Sequence, residues 1–314
     1  MAVILTAAAL YLSFRRLAWS DFLAAFGQAN FFWVLAAALV SLFAVQLLGW
    51  RWQLLLRPKE AVPLAILFRL NIINQFVNIV LPARLGELAR AYLTSKESTI
   101  SGSYALGTVV VEKLFDLATF VALWVIVPPL FSLGDNVRTY AWALVVLILA
   151  LGLAILAASR PQLFWRWTEK ALPFLPESWR AKIRRLAVEG SEPFGLLRQR
   201  RLFFSLAGLS LAVLVGELLP ITFLFYAFKI AVPPWSSLFV LLLLVAGRFP
   251  PSLPGRIGIY EYAVILALAP FGVNRAVALS YAIMLHLVTC LPRIILGAIF
   301  TTGIKGEVTR LAGT

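Results

Sequence analysis

Leu81-Pro82-Ala83-Arg84-Leu85-Gly86 and Leu253-Pro254-Gly255-Arg256-Ile257-Gly258 share the pattern Leu-Pro-x-Arg-x-Gly at an offset of 172 residues. The same offset carries the apolar run 31–56 onto 203–228, aligning Phe31-Phe32 with Phe203-Phe204, and carries 104–130 onto 276–302. Four matched residues in a stretch of six are weak alone, but spans matched on both sides at one offset make the halves read as copies of a single unit.

The surroundings of the two motifs say where such a unit lives. The chain has 314 residues, of which 61% are hydrophobic and 13% charged, against the roughly 45–50% apolar content of soluble domains. A water-soluble fold is thereby excluded. Apolar segments cover residues 1–14, 31–56, 64–81, 104–130, 138–157, 202–228, 236–250, 256–271 and 277–303. Several reach the ~20 residues that a helix needs to cross the hydrocarbon layer, and their unbroken apolar character selects helices over a barrel. The first segment, Met1 to Phe14, has no basic region before it and is followed by Arg15-Arg16, so it reads as a short span and not as a signal peptide.

Two segments differ from the rest. Residues 64–81 carry Arg69, Asn71, Asn74, Gln75 and Asn78 and stop at Pro82, while 236–250 run into Arg248, Pro250, Pro251 and Pro254. Broken, polar backbone at membrane depth is tolerated only where protein buries it or water reaches it. Each unit then reads as span, span, interrupted hairpin, span. Three crossings are an odd number, so the second copy inserts upside down. The expected fold is an all-α polytopic membrane protein in one domain, 1–314. It is an inverted-topology repeat with repeat one at 1–130 and repeat two at 138–303, about six full spans and two re-entrant helical hairpins.

Charge sets the orientation. The loop 158–201 holds ten Lys/Arg against four Asp/Glu and belongs in the cytoplasm, as do the tail with Lys305 and Arg310 and both termini. Arg57, Lys59, Arg90 and Lys96 fall on the same side, 131–137 holds one acid and no base, and Arg15-Arg16 run against the scheme. Within the loop, Trp179, Ile183 and Leu186 line one face of a helix whose other face is basic, which suits either an interfacial helix on anionic headgroups or a solvated connector. The net charge of +14 reflects these loops and anionic lipid, not a nucleic-acid partner. The location expected is the inner (cytoplasmic) membrane.

Prolines suit the first turn of a helix, so Pro82 and Pro254 are expected to open half-helices with Arg84 and Arg256 in their first turns. Unpaired N–H groups, the helix dipole and a guanidinium together make an anion site suited to a phosphate. Alternatively each arginine only ties down its own hairpin. Gly86, Gly255 and Gly258 permit close approach of a headgroup or a helix. Glu87 and Glu261 follow the motifs, and Glu112, Asp116 and Glu217 sit inside spans. Glu112 and Asp116 share a helix face, with Lys113 able to pair with Asp116. Such acids serve either proton coupling or a fixed ion-pair network. Arg248, Arg293 and His286 extend the polar path.

With Cys290 and His286 the only residues of their types, no zinc or disulfide framework is possible within the chain. No phosphate loop, nucleophile elbow or paired-histidine motif is present, so neither a cofactor nor a catalytic residue is expected.

The stretch Asn78 to Arg90, with Asn-x-x-x-Pro-x-Arg-x-Gly-Glu-x-x-Arg spacing, resembles the flippase-like transmembrane region of bacterial lysylphosphatidylglycerol synthases. So do Glu112-Lys113-Leu114-Phe115-Asp116 and Leu253 to Glu261, and the resemblance covers nearly the whole chain. In bifunctional members that region precedes a soluble aminoacyl-transferase domain, which has no counterpart within residues 1–314, so synthase activity is not expected of them. The resemblance implies a lipid flippase whose central polar cavity is lined by Asn78, Arg84, Glu87, Arg90, Glu112, Asp116, Arg256 and Glu261. The expected substrate is an anionic phospholipid or a polyprenyl-phosphate-linked lipid. The alternatives are an intramembrane transferase acting on a lipid-linked substrate and a lipid-binding accessory subunit that transports nothing.

Overall fold

The computed structural model describes residues 2–14, 19–81, 85–130, 177–233, 235–248 and 253–312. Pro82, Arg84, Arg15-Arg16, Pro250-Pro251 and the expected span 138–157 lie outside them. The described elements are helical throughout: α1 Ala2–Phe14, α2 Trp19–Gly27, α3 Phe31–Leu56, α4 Leu64–Val80, α5 Gly86–Glu97, α6 Gly102–Leu130, α7 Glu177–Gly195, α8 Arg200–Ala227, α9 Ser236–Ala246, α10 Ile259–Leu268 and α11 Arg275–Ala312. The 172-residue offset recurs in these bounds: it carries Leu64, the start of α4, onto Ser236, the start of α9, and carries the starts of α5 and α6 to within one residue of those of α10 and α11.

Among the described residues, three helices are long and apolar enough to cross a membrane: Phe31–Leu56, Arg200–Ala227 and Arg275–Thr302. Their apolar stripes face outward. Leu35, Leu39 and Phe43 on α3, and Leu287, Leu291, Ile295 and Ile299 on α11, recur every fourth residue and are all exposed. A stripe of that length in water would be an aggregation surface, whereas in lipid it is solvated. The protein is therefore a membrane protein. Of the other expected spans, α6 has 29 residues but includes Glu112, Lys113 and Asp116, and α1 has only 13.

The chain forms two compact units. Met1–Leu47, Asn71–Gly86 and Val213–Thr314 make one, and Leu48–Leu70 with Glu87–Ala212 make the other. In the second unit, Trp52, Leu56, Leu67, Leu70, Ala91, Tyr104 and Ala105 form a core in which the Tyr104 hydroxyl donates to the Leu55 carbonyl at 3.0 Å. Leu55, Val111 and Leu206 form another, joined by Phe194 at the end of α7. Helix α7 covers the basic stretch expected to be helical, with Leu186 exposed. Its acid Glu189 takes an Arg185 hydrogen bond at 2.9 Å, and Glu192 pairs with Lys59 at 2.6 Å. Glu60, in the loop after α3, accepts from the Thr99 hydroxyl at 2.6 Å and the Thr99 amide at 2.8 Å, which holds its carboxyl below the ordinary glutamate range.

In the first unit, α10 packs against α1, α9 and α11, and α11 also packs against α2. Helix α2 has no counterpart in the apolar segments of the sequence. It is held by rings, Trp19 on Phe22 and Phe22 on Phe26, and by the Ser280 hydroxyl donating to the Phe22 carbonyl at 3.0 Å. The Tyr281 hydroxyl likewise ties α11 to α8 through the Ile221 carbonyl at 2.8 Å.

Both interrupted segments are helical hairpins. In the first, Asn78 of α4 meets Gly86 of α5 at the tip, and Arg69 pairs with Glu97 at the open end. In the second, Gly247 lies beside Ile259 at the tip, and Trp235 packs on Phe271 at 5.6 Å at the open end. With 1.5 Å of rise per residue, α9 and α10 are each about 15–17 Å long, roughly half the hydrocarbon thickness.

One expectation is corrected here. Pro254 does not open the second half-helix, and Arg256 is not in its first turn. Pro254–Arg256 form an isolated 3₁₀ turn, and α10 begins only at Ile259. The reason is the backbone. Gly255, Arg256 and Gly258 have φ of 72°, 55° and 86°, which no right-handed helix can contain, so the helix starts once Gly258 is passed.

Candidate functional site

The residues singled out from the sequence fall into two groups, one in each unit. Helix α6 carries Glu112 and Asp116 one turn apart, and in the second unit Arg51 of α3 reaches both. Its guanidinium donates to Asp116 Oδ1 at 2.8 Å and to Ser210 Oγ at 3.1 Å, and its Nε lies 3.5 Å from Glu112 Oε1. The other Glu112 oxygen pairs with Arg90 of α5, whose guanidinium lies 4.2 Å from the centre of the Trp52 ring. Trp52 is itself fixed by its indole N–H, which donates to Thr108 Oγ1 at 2.9 Å. Lys113 closes the network at 3.2 Å from Asp116 and 3.5 Å from Glu87. Arg51, Arg90 and Glu112 are buried, while Asp116 and Lys113 are partly exposed.

Arg51 is the residue that pattern reading missed. It is the lone charge in the apolar run 31–56, and an ionisable residue inside a span is a functional candidate on that ground alone.

The first unit contains both hairpin tips. At the first tip, Asn78 Nδ2 donates to Asn74 Oδ1 at 3.0 Å, and the Gly86 amide donates to Asn78 Oδ1 at 2.9 Å. At the second, the Gly258 amide donates to Glu261 Oε2 at 2.6 Å. Gly86 and Gly258 are the last residues of the two Leu-Pro-x-Arg-x-Gly motifs. At both positions a backbone amide at the start of the returning helix, that of its first residue Gly86 or of its N-cap Gly258, is held by a side-chain oxygen of the chain itself, which fixes where each helix begins.

Glu261 continues outward to α11. Its Oε1 lies 2.6 Å from His286 Nδ1, and the His286 ring stacks on Tyr260 with centroids 4.2 Å apart. Cys290 lies one turn further along α11, and Thr289 Oγ1 donates to the Leu285 carbonyl at 2.8 Å. Arg248, just after α9, lies 3.8 Å from Glu217 of α8. Arg293 donates to Ser41 Oγ of α3 at 3.0 Å. Helix α1 braces the tip, with the Leu253 amide 3.4 Å from Thr6 Oγ1. The expected site residues Asn78, Gly86, Arg256, Gly258, Glu261, Glu217, Arg248, His286 and Arg293 thus belong to one unit, and Glu87, Arg90, Glu112, Lys113 and Asp116 to the other.

Residues 1–297 match the family model described as the lysylphosphatidylglycerol synthase transmembrane region. The chain belongs to that family. A curated relative, a UPF0104 membrane protein of Methanocaldococcus jannaschii, is 42% identical over 48 residues, which is 15% of this chain and 20% of that one. The chain therefore spans about a fifth of that relative's length in the match. No solved structure matches it. As a lysylphosphatidylglycerol synthase transmembrane region, the chain is a membrane domain, and the Leu-Pro-x-Arg-x-Gly motifs and the Glu112–Asp116 pair lie inside the matched residues.

Proposed function

We propose that this membrane domain is a lipid translocase that binds the phosphate of an anionic phospholipid or polyprenyl-phosphate-linked lipid at the tips of its two hairpins. The observation that carries the reading is the second tip, where Arg256 takes a left-handed φ of 55° between Gly255 and Gly258. A bulky residue in that region costs of order 1–3 kcal/mol, and such strain collects at ligand sites. In an otherwise apolar segment it sets a guanidinium at a break in the backbone, the arrangement by which discontinuous helices hold charged substrates within a bilayer. Arg84 occupies the equivalent position in the first motif.

The two copies are inverted in this reading, so their tips approach from opposite sides, and alternating exposure carries the headgroup across while the tails stay in lipid. An arginine at mid-helix in a bilayer costs about 2.5–3.5 kcal/mol on insertion scales. A phosphate bound there offsets that cost as its own lost hydration is replaced by guanidinium groups.

Native mass spectrometry of gently extracted protein tests the binding step. Arg84→Ala and Arg256→Ala are each expected to lose one co-purifying class of phosphate-bearing lipid, at least tenfold relative to wild type, the effect of one charge-assisted hydrogen bond. Equal retention in both variants would make the arginines braces of their own hairpins and favour an accessory role.

A further inference from the structure

We propose that Arg293 is a ligand of the lipid phosphate and that the bound headgroup supplies its counter-charge; this rests on the translocase reading and adds a residue outside both motifs. The two charged groups differ in balance. In the second unit, Arg51, Arg90 and Lys113 face Glu87, Glu112 and Asp116, three charges of each sign, and each cation has a carboxylate oxygen within 3.5 Å. That network is neutral on its own and has no charge left for a ligand. Among the described residues of the first unit, Glu217 acts on both Arg248 and Arg293, and Glu261 is already shared between His286 and the Gly258 amide. Glu217 lies 3.8 Å from Arg248.

Like Arg275 at the start of the same helix, Arg293 has no carboxylate partner among the described residues. It lies within Arg275–Thr302, one of the helices long enough to span a membrane. Its hydrogen bonds go to neutral groups, Ser41 Oγ at 3.0 Å and the Ser41 carbonyl at 3.4 Å, and its Nε is buried with no partner. Among the described residues no carboxylate lies within 4 Å of it. A guanidinium without a counterion in an apolar medium is costly, and breaking even with solvent requires an anion and further hydrogen bonds. The surroundings fit a phosphate. Arg248 and Tyr260 are close enough to influence Arg293 electrostatically, and Arg256 and Arg293 both act on Cys290. The planar fork of Arg, with Nε–H still to be satisfied, matches two phosphate oxygens.

The test uses the purified full chain in detergent and measures Tm against added dioctanoyl phosphatidylglycerol, dioctanoyl phosphatidylcholine or inorganic phosphate. The proposal expects a Tm rise with phosphatidylglycerol, with an affinity about tenfold weaker in Arg293→Met. The lipid-free Tm of Arg293→Met should equal or exceed that of wild type, because an unpaired charge has been removed. Arg293→Lys, which keeps charge without the fork, should be intermediate, and Ser41→Ala should bind as wild type does. Unchanged affinity in Arg293→Met alongside loss in Arg256→Ala would overturn the role of Arg293 and leave the translocase reading standing. A lowered lipid-free Tm that Ser41→Ala reproduces would overturn it too, making Arg293 an anchor between α3 and α11. A wild-type protein that no anionic lipid stabilises would overturn both. If inorganic phosphate gives the full shift by itself, Arg293 is a phosphate ligand and the lipid is not the source.

Discussion

Replacing Glu112 by leucine is expected to destabilise the protein by about 3–5 kcal/mol, because removing one partner of a buried ion pair leaves a charge stranded. Glu112 is the shared carboxylate of the second unit, opposing Arg90 with one oxygen and Arg51 with the other. Arg51 keeps Asp116 in the variant, so most of the loss falls on Arg90, packed against Trp52 where solvent does not reach it. Asp116→Asn should cost less, about 1 kcal/mol, since its side chain is 39% exposed and partly screened by solvent. Adding Arg90→Met to Glu112→Leu should recover part of the stability, as replacement of a whole buried pair by apolar groups often does. Thermal denaturation of the detergent-solubilised variants, followed by circular dichroism, measures all three. A Glu112→Leu protein as stable as wild type would mean that the network is not what joins α3, α5 and α6.

The second large effect is expected at the hairpin tips. A Cβ on Gly86 would lie 2.1 Å from the Asn74 carbonyl oxygen and 2.5 Å from its side-chain oxygen. A Cβ on Gly258 would lie 2.8 Å from Leu10 Cγ, at a φ of 86° that side chains rarely adopt. Gly86→Ala and Gly258→Ala should each cost about 1–3 kcal/mol, the range for overpacking, with the left-handed φ adding to Gly258→Ala. Both should also impair lipid retention, since the substituted residue carries the amide that defines the start of the returning helix. Gly208→Ala in α8 is the control. It has nothing within 4 Å of its Cβ position, and alanine in an exposed helix should be neutral or stabilising by up to about 1 kcal/mol. If all three substitutions behave alike, close packing at the tips is not what those glycines provide.

These two predictions draw on different kinds of information. The hairpin tips were legible in the sequence because a six-residue motif recurs at a fixed offset, and the helix bounds follow the same offset. The point at which the second returning helix starts was not legible. The preference of proline for a helix's first turn competes there with departures of φ into the positive region at Gly255, Arg256 and Gly258, and the latter win. Helix α5 is absent from the apolar segments because its residues, Gly86 to Glu97, are largely polar, and only the proline motif announced it; α2 was hidden because nine residues are too few to register as a span. The ion-pair network was half legible. Glu112, Lys113 and Asp116 announce themselves by helical spacing, but Arg51 joins them across 65 residues of chain, and no periodicity encodes such a pairing.

Transbilayer movement itself gives the most direct test of the central claim. Purified protein reconstituted into vesicles with a trace of headgroup-fluorescent phosphatidylglycerol should let externally added dithionite quench both leaflets, whereas Arg256→Ala vesicles should stop at the outer-leaflet fraction, as protein-free vesicles do. Wild-type vesicles that stop there too, with phosphatidylglycerol and with a fluorescent polyprenyl-phosphate lipid alike, would contradict the translocase account.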